Sequence, residues 1–371
     1  MRKLGKMNKL TLALSSVCIL CPVSVNAEID WRGYATIAGG KTFDGGTSYD
    51  KVTDQLRVDR MSLLGLQGSS DLSDGLSATV QIVGRGINNF DPEFEWAFVK
   101  YEFNDKFDVK FGRLRAPFYY YSEYLDVSYA YSWITPPIEM YASNVTSYDG
   151  IAFYYADSIG SFDYAAYAGM GTRELTLTAG DLAGNYDAIT VFDLGYGDFK
   201  TKFIYSVFEI SLTSDTLETV QNALAGLDGA FVVKDMPGYI AGVAAYYDPG
   251  SYYLGVEYAE LRFDKDIIAV SEDDRFLATV GYRYSDFTLH YSFSSSDKTN
   301  GIEKLLTTSD PRYATAKSVA DAVTSDDKTH IVGLRYDFHP NAALKFEYGF
   351  TDDDYIDQDT QFFRTGVSII F

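Results

Sequence analysis

The chain has 371 residues, 46% hydrophobic and 16% aromatic, with 31 Lys and Arg against 52 Asp and Glu and a formal net charge of −21. No stretch approaches the roughly 18–20 uninterrupted apolar residues of a spanning helix, which excludes helical transporters and receptors. The acidic balance excludes a nucleic-acid partner, because phosphate binding needs clustered Lys and Arg. The 31 Tyr and 25 Phe exceed what an ordinary soluble domain requires, and disordered chains are aromatic-poor, so a large soluble all-β protein and an outer-membrane β-barrel remain.

At the start of the chain Arg2, Lys3, Lys6 and Lys9 precede an apolar run over 10–23, and Val25, Asn26 and Ala27 supply a cleavage site. Residues 1–27 read as a removed secretory signal, starting at Met1 or Met7, and 28–371 as a single barrel domain. Both cysteines, Cys18 and Cys21, fall within the signal, so the mature chain has no disulfide. Cys21 follows Leu20, where a lipidation signal wants a small residue. Loss of the four basic residues, with no acid, takes the net charge from −21 to −25. An exported, acidic, cysteine-free chain fits the Gram-negative envelope.

A barrel wall in lipid alternates outward apolar and inward polar residues over segments of about ten. In 29–38, Ile29, Trp31, Ala35 and Ile37 share one side, and Asp30, Arg32, Tyr34 and Thr36 the other. Similar segments follow at 56–67, 75–86, 94–103, 107–115, 147–156, 162–170, 188–196, 199–208, 238–247, 252–261, 275–284, 286–294, 329–338, 342–350 and 361–371, sixteen in all. Links after even-numbered segments are short: 69–74, 104–106, 157–161, 197–198, 248–251, 285–287 and 339–341. Links after odd-numbered ones are long: 39–55, 116–146, 171–187, 209–237, 262–274, 295–328 and 351–360, with 87–93 of middling length. This alternation places all short turns at one end of a closed antiparallel meander, whereas Greek-key connections mix long and short links at both ends. Apolar residues at helical spacing predict short helices over 215–226 and 311–323.

Phe276, Ala278, Val280, Tyr282 and Tyr284 form an apolar face opposite Arg275, Leu277, Thr279, Gly281 and Arg283. Leu344, Phe346, Tyr348 and Phe350 likewise oppose Lys345, Glu347 and Gly349. Charges confined to one face suit a water-filled lumen, since Lys or Arg at mid-depth on the lipid face costs about 2–4 kcal/mol. A soluble barrel with the faces exchanged would alternate in the same way, but sixteen strands enclose a lumen too wide to fill with side chains.

Phe363, Thr365, Val367, Ile369 and Phe371 alternate to a terminal aromatic, which resembles the C-terminal signature read by the outer-membrane barrel-assembly machinery. Ile369 departs from it, since an aromatic is usual at the third-last position. With the signal segment and sixteen strands, the chain resembles the Gram-negative general-diffusion porins of gamma-proteobacterial type, most specifically over 111–149. There a Gly-Arg strand end runs into a long third loop that returns through an Asp-Gly. The resemblance implies an all-β fold, a 16-stranded antiparallel transmembrane β-barrel in the outer membrane, assembled as a homotrimer, with the third extracellular loop, 116–146, folded into the pore.

That loop and its return carry four acids, Glu123, Asp126, Glu139 and Asp149, and no Lys or Arg. The resemblance sets such acids opposite a basic wall that creates a transverse field; the candidates are Arg32, Arg60, Arg85, Arg113 and Arg115. Arg32 and Arg85 lie on polar faces. Arg113 shares the phase of Val109 and Phe111 and points inward only if the strand bends at Gly112, and Arg60 sits in a segment of ambiguous phase. Solvated wall charges without influence on selectivity are the alternative. Tyr119, Tyr120, Tyr121, Tyr124, Tyr129, Tyr131 and Trp133 read either as an aromatic slide for sugar rings or as packing of the loop against the wall.

Catalysis finds no foothold. The histidines, His290, His330 and His339, lack zinc-ligand spacing, and neither G-x-S-x-G nor G-x-x-x-x-G-K-[ST] occurs. No cofactor or metal is expected. Asp352, Asp353, Asp354, Asp357 and Asp359 form an acidic loop without EF-hand spacing, read as a solvated rim or as a cation site shared with lipopolysaccharide. The expected partners are outer-membrane lipid, lipopolysaccharide and the barrel-assembly machinery, the last through Phe371. The expected function is passive diffusion of small hydrophilic solutes with weak cation preference. The alternatives are an oligosaccharide-selective porin and a barrel enzyme or surface-binding barrel without an open pore.

Overall fold

The computed structural model describes residues 28–142, 145–177, 180–214, 218–219 and 231–371. The signal segment 1–27 lies outside them, as does the helix expected over 215–226 except for residues 218 and 219.

Sixteen antiparallel strands form the wall: β1 (Ile29–Thr42), β2 (Leu63–Ser73), β3 (Leu76–Arg85), β4 (Pro92–Asn104), β5 (Phe107–Arg115), β6 (Ser147–Ile159), β7 (Phe162–Leu177) and β8 (Gly180–Tyr196), then β9 (Phe199–Thr213), β10 (Met236–Tyr247), β11 (Tyr252–Phe263), β12 (Glu272–Tyr284), β13 (Phe287–Thr299), β14 (Ser325–His339), β15 (Ala342–Asp353) and β16 (Gln358–Ile370). Each pairs with its sequence neighbours, and β1 closes on β16 with Ala35 opposite Ile369 and Thr42 opposite Phe362. Closure leaves no unpaired strand edge, as a bilayer demands. The last residue takes part, since the Gly33 amide donates to the Phe371 carbonyl at 2.7 Å and the Phe371 amide to Gly33 at 2.9 Å.

The period-two pattern decides which face meets lipid. On β11, Leu254, Val256 and Tyr258 are exposed, while Tyr253, Glu257 and Ala259 between them are buried. Val280, Tyr282 and Tyr284 on β12 and Phe346 and Tyr348 on β15 are likewise exposed, opposite buried Leu277, Thr279, Lys345 and Glu347. The short links are turns at one end, such as the Gly197 corner, whose φ of +57° suits a residue without Cβ.

Two departures from the sequence reading concern the long-loop end. β2 begins at Leu63, because the preceding segment forms a turn, with the Ser62 amide bonded to the Asp59 carbonyl at 3.0 Å. The described part of 171–187 is strand, not loop. β7 and β8 continue through it, pairing Leu175 with Leu182, since extended pairing above the rim satisfies the backbone without needing an apolar lipid face. Loops also cover part of the mouth. Phe231, Val233, Ile267, Ile268, Ile302, Leu306, Ala316 and Ala320 join Phe208, Ile210 and Met236 of the rim in one buried cluster. Helix α3 (Tyr313–Asp321) contributes Ala316 and Ala320 and falls within the 311–323 expectation. Its companions are α1 (Ile138–Tyr141) in the third loop and α2 (Ile302–Leu305).

Candidate functional site

The third loop leaves β5 after Arg115, just beyond Gly112, whose φ of +134° is open to glycine and whose partner across the ladder is Gly150. Between β5 and β6 its residues bond to the lumen side of opposing walls.

On the near wall Asp126 lies 2.8 Å from Arg85 and 3.0 Å from Arg115. Glu95 completes the cluster, 2.7 Å from Arg85 and 2.5 Å from Arg115. Glu95 is aimed inward by a bulge: Gln81 pairs with Trp96 and Ile82 with Phe94, so β4 carries one residue more than β3 at that point. Burial opposes ionisation of Asp126, but the adjacent Arg115 and Arg85 charges outweigh it and hold the carboxyl below its ordinary value of 3.8.

On the far wall the cations act on the loop's own carbonyls. Lys345 donates to the Tyr131 carbonyl at 2.8 Å and to those of Ser128 and Trp133. Arg335 reaches the Tyr129 and Tyr131 carbonyls at 2.8 and 2.9 Å, and Arg275 those of Met140 and Ala142 at 3.2 and 2.7 Å. Glu347, ion-paired to Arg364 at 2.7 Å, accepts the Ile134 amide at 2.8 Å. Glu257 accepts the Tyr120 amide at 3.2 Å and the hydroxyls of Tyr246 at 2.6 Å and Tyr141. Buried charges bonded to a backbone this way fix a loop strongly.

Glu139 on α1 sits in a hydroxyl cage, accepting from Thr329 at 2.6 Å, Ser294 at 2.8 Å and Tyr49 at 3.3 Å. Burial raises its carboxyl above the ordinary 4.5, and the Thr329 and Ser294 hydroxyls only partly offset that. Tyr49 comes from the first long loop, which also folds inward: its ring stacks on Phe362 at 4.1 Å, and Val52 and Met61 pack on Ile134.

The predicted site residues therefore divide. Arg85, Arg115 and Asp126 come together, neutralising one another on one wall instead of facing each other across the pore. Glu139 is buried in its cage. Glu123 stays open to the lumen, 3.8 Å from Lys202, which is also 3.7 Å from Asp193. Four expectations are corrected. Arg113 and Asp149 pair bidentately at 2.9 and 2.8 Å on the outward face, in phase with Phe111 and Phe153, because the bend at Gly112 does not turn the strand over. Arg60 lies in the first loop, ahead of β2, and is not on the wall. Arg32 points inward but at the short-turn mouth, exposed and paired with Asp30 at 2.8 Å, away from the loop. Among the aromatics, Tyr119 and Trp133 are buried, with Trp133 Nε1 donating to Ser292 at 2.9 Å. Tyr120, Tyr121 and Tyr124 line open space.

Sequence reasoning placed Arg275, Lys345 and Glu347 on the inward face without giving them a role in the site, and did not single out Arg335, Arg364 or Glu257; all six are inward-phase charges. That phase was their signal. Glu95 had none, because a bulge breaks the alternation that would have shown it.

Two spaces remain below the loop, toward the short turns. One of about 720 Å³ lies along β10 to β14. The other, about 560 Å³, lies along β6 to β9 and holds Glu123, Asp157, Asp163, Asp193, Lys200 and Lys202. Above them Phe118 and Tyr119 pack with inward residues of β6, β8 and β9, among them Tyr148, Ile189, Val191 and Ile204.

A closed sixteen-stranded barrel, apolar outside and restricted within by its own third loop, defines an outer-membrane pore-forming barrel. The chain belongs to the Gram-negative porin family, which it matches over residues 13–368. It is similar in fold to OmpF of Salmonella typhi, solved with Daunomycin, at 16% identity and a TM-score of 0.62 over 93% of this chain and 98% of that one. The anion-selective porin of Comamonas acidovorans follows at 14% and 0.57, covering 93% and 100%. The trimer form of in-vitro folded OmpT, an outer membrane protein of Vibrio cholerae, gives 14% and 0.56, covering 93% and 99%. No curated protein matches the sequence. At these identities the likeness is one of fold; family membership makes the chain an outer-membrane porin channel.

Proposed function

We propose that the protein conducts small hydrophilic solutes and ions passively, with weak cation preference, and works as a homotrimer. The single observation that carries this reading is the third loop bonded across the lumen, from Asp126 on one wall to Lys345 on the other. Such a loop narrows a sixteen-stranded barrel to molecular dimensions while leaving a wet, charged path beside it. The lumen space along β6 to β9 carries Glu123, Asp163 and Asp193 against Lys200 and Lys202, its fourth acid, Asp157, being paired with Lys106 at 2.8 Å, and the excess acid raises local cation concentration.

Trimerisation is supported by the outward Arg113–Asp149 pair, set among Phe94, Ala97, Phe111, Gly112 and Gly150. A charge facing lipid costs up to about 2–4 kcal/mol depending on depth, so this face is better placed against a second copy, and a trimer form is known for the similar OmpT. Export through residues 1–27, assembly through the strand ending at Phe371, and contact of the outer face with lipid and lipopolysaccharide complete the proposal.

Reversal potentials in a salt gradient test the ion preference. The native chain should favour cations, and Glu123→Gln with Asp193→Asn should abolish that preference. Anion selectivity in the native chain would refute it.

A further inference from the structure

The 720 Å³ space falls within the roughly 300–1,000 Å³ of small-molecule sites. Tyr120, Tyr124 and Tyr129 face it half-exposed, with Tyr246, Tyr253 and Trp133 buried behind them in its lining. The rings are set in place by the wall. Tyr246 lies over Gly255 and Tyr253 over Gly281, so closely that a Cβ at either glycine would meet the ring at 2.2 or 2.1 Å. Tyr120 then stacks on Tyr246, centroids 4.0 Å apart and planes 22° from parallel. Ordering rings beforehand removes an entropy cost from binding.

The rim is ionic but balanced. Arg283 pairs with Asp248 at 2.6 Å and Arg335 with Asp337 at 2.7 Å, and Lys200 and Asp198 add one charge of each sign. Such a rim rewards no net charge on a ligand, yet its carboxylates and guanidinium groups retain acceptors and donors for hydroxyls. The neighbouring 560 Å³ space is the acidic one, and Tyr120 and Tyr124 line both.

We propose that the tyrosine-lined space beneath the third loop is a binding site for a neutral carbohydrate of two or three rings. Its apolar C–H faces lie on the tyrosines and its hydroxyls bond to the ion-paired rim. The proposal deepens the porin reading, on which it rests for delivery of the sugar, by naming a class of solute that is held and not merely passed.

The test is calorimetric titration of the detergent-solubilised full chain with maltotriose. Saturable heat is expected in the native chain, weakened about fivefold in Tyr124→Ala by loss of one stacking partner and retained in Tyr124→Phe. Tyr129→Ala gives a second reading from another part of the lining, with weakening expected there too. Absence of saturable heat in the native chain, or equal affinity in the native chain and both alanine variants, would overturn the proposal. Conductance without sugar is measured separately, so a barrel that conducts without binding refutes the site alone, and one that binds without conducting refutes the porin reading.

Discussion

The buried ammonium of Lys345 on β15 donates to the main-chain carbonyl of Tyr131 in the third loop at 2.8 Å, with the Ser128 and Trp133 carbonyls on the same ammonium. An ammonium enclosed by backbone carbonyls ties the middle of the loop to the wall opposite its origin. Lys345→Met keeps the stem and removes the donor, leaving buried carbonyls unsatisfied. It should destabilise the folded barrel by about 2–4 kcal/mol, measured by urea unfolding in lipid vesicles. In bilayers it should give a larger, noisier single-channel conductance than the native chain. An unchanged conductance would show that this tie does not set the constriction.

Asp126 ties the loop to the near wall. Because Arg115 and Arg85 outweigh burial and lower its carboxyl, its stabilisation is fully present above the ordinary 3.8 and is lost as pH falls through the lowered value. Conductance should therefore be insensitive to this group from pH 7 down to about 4, then rise in noise as the carboxyl protonates. Asp126→Asn should show that noise at pH 7. Noise setting in well above pH 4 in the native chain would contradict the cluster.

Glu139 has the opposite sign. Its carboxyl is raised by burial, so its protonated form favours the folded loop, and the associated stability is full below 4.5 and lost as pH rises through the raised value. Glu139→Gln keeps a hydrogen-bonding group in the cage without the charge. It should be more stable than the native chain by about 1 kcal/mol at pH 8 and indistinguishable from it at pH 4, by unfolding at the two pH values. Lower stability of the variant at pH 8 would show that the charged form is favoured.

The outward pair of Arg113 and Asp149 separates lipid from subunit contact. Arg113→Leu strands an unpaired carboxylate on the outer wall and should shift the protein toward monomers on non-denaturing gels, whereas Arg113→Lys should leave the oligomer largely intact. A trimer as heat-stable in Arg113→Leu as in the native chain would place this face in lipid instead.

Much of the barrel was legible because its physics is periodic. Lipid outside and water inside force alternation, so the phase of Leu344, Phe346 and Tyr348 against Lys345 and Glu347 already separated the two faces. Turn chemistry at positions such as Gly197 marked the short links. What alternation cannot encode is a break in itself. The bulge at Glu95 moved an acid into the lumen unseen, and the extended pairing of Leu175 with Leu182 passed for a loop because it stands above the lipid pattern. The site was legible in part. The sequence placed acids in the third loop, but whether each meets a guanidinium, as Asp126 does, or a hydroxyl cage, as Glu139 does, depends on the loop's path across the lumen. The same path brings the far-wall cations to carbonyls, groups every residue carries and no side-chain pattern reveals.

The central claim, a porin whose lumen is narrowed but left conducting by its third loop, is tested most directly by single-channel recording of the native chain in planar bilayers. Discrete, ohmic current steps on insertion, enlarged in Lys345→Met, are the result this account predicts. Folded, inserted barrels that carry no ionic current would contradict it.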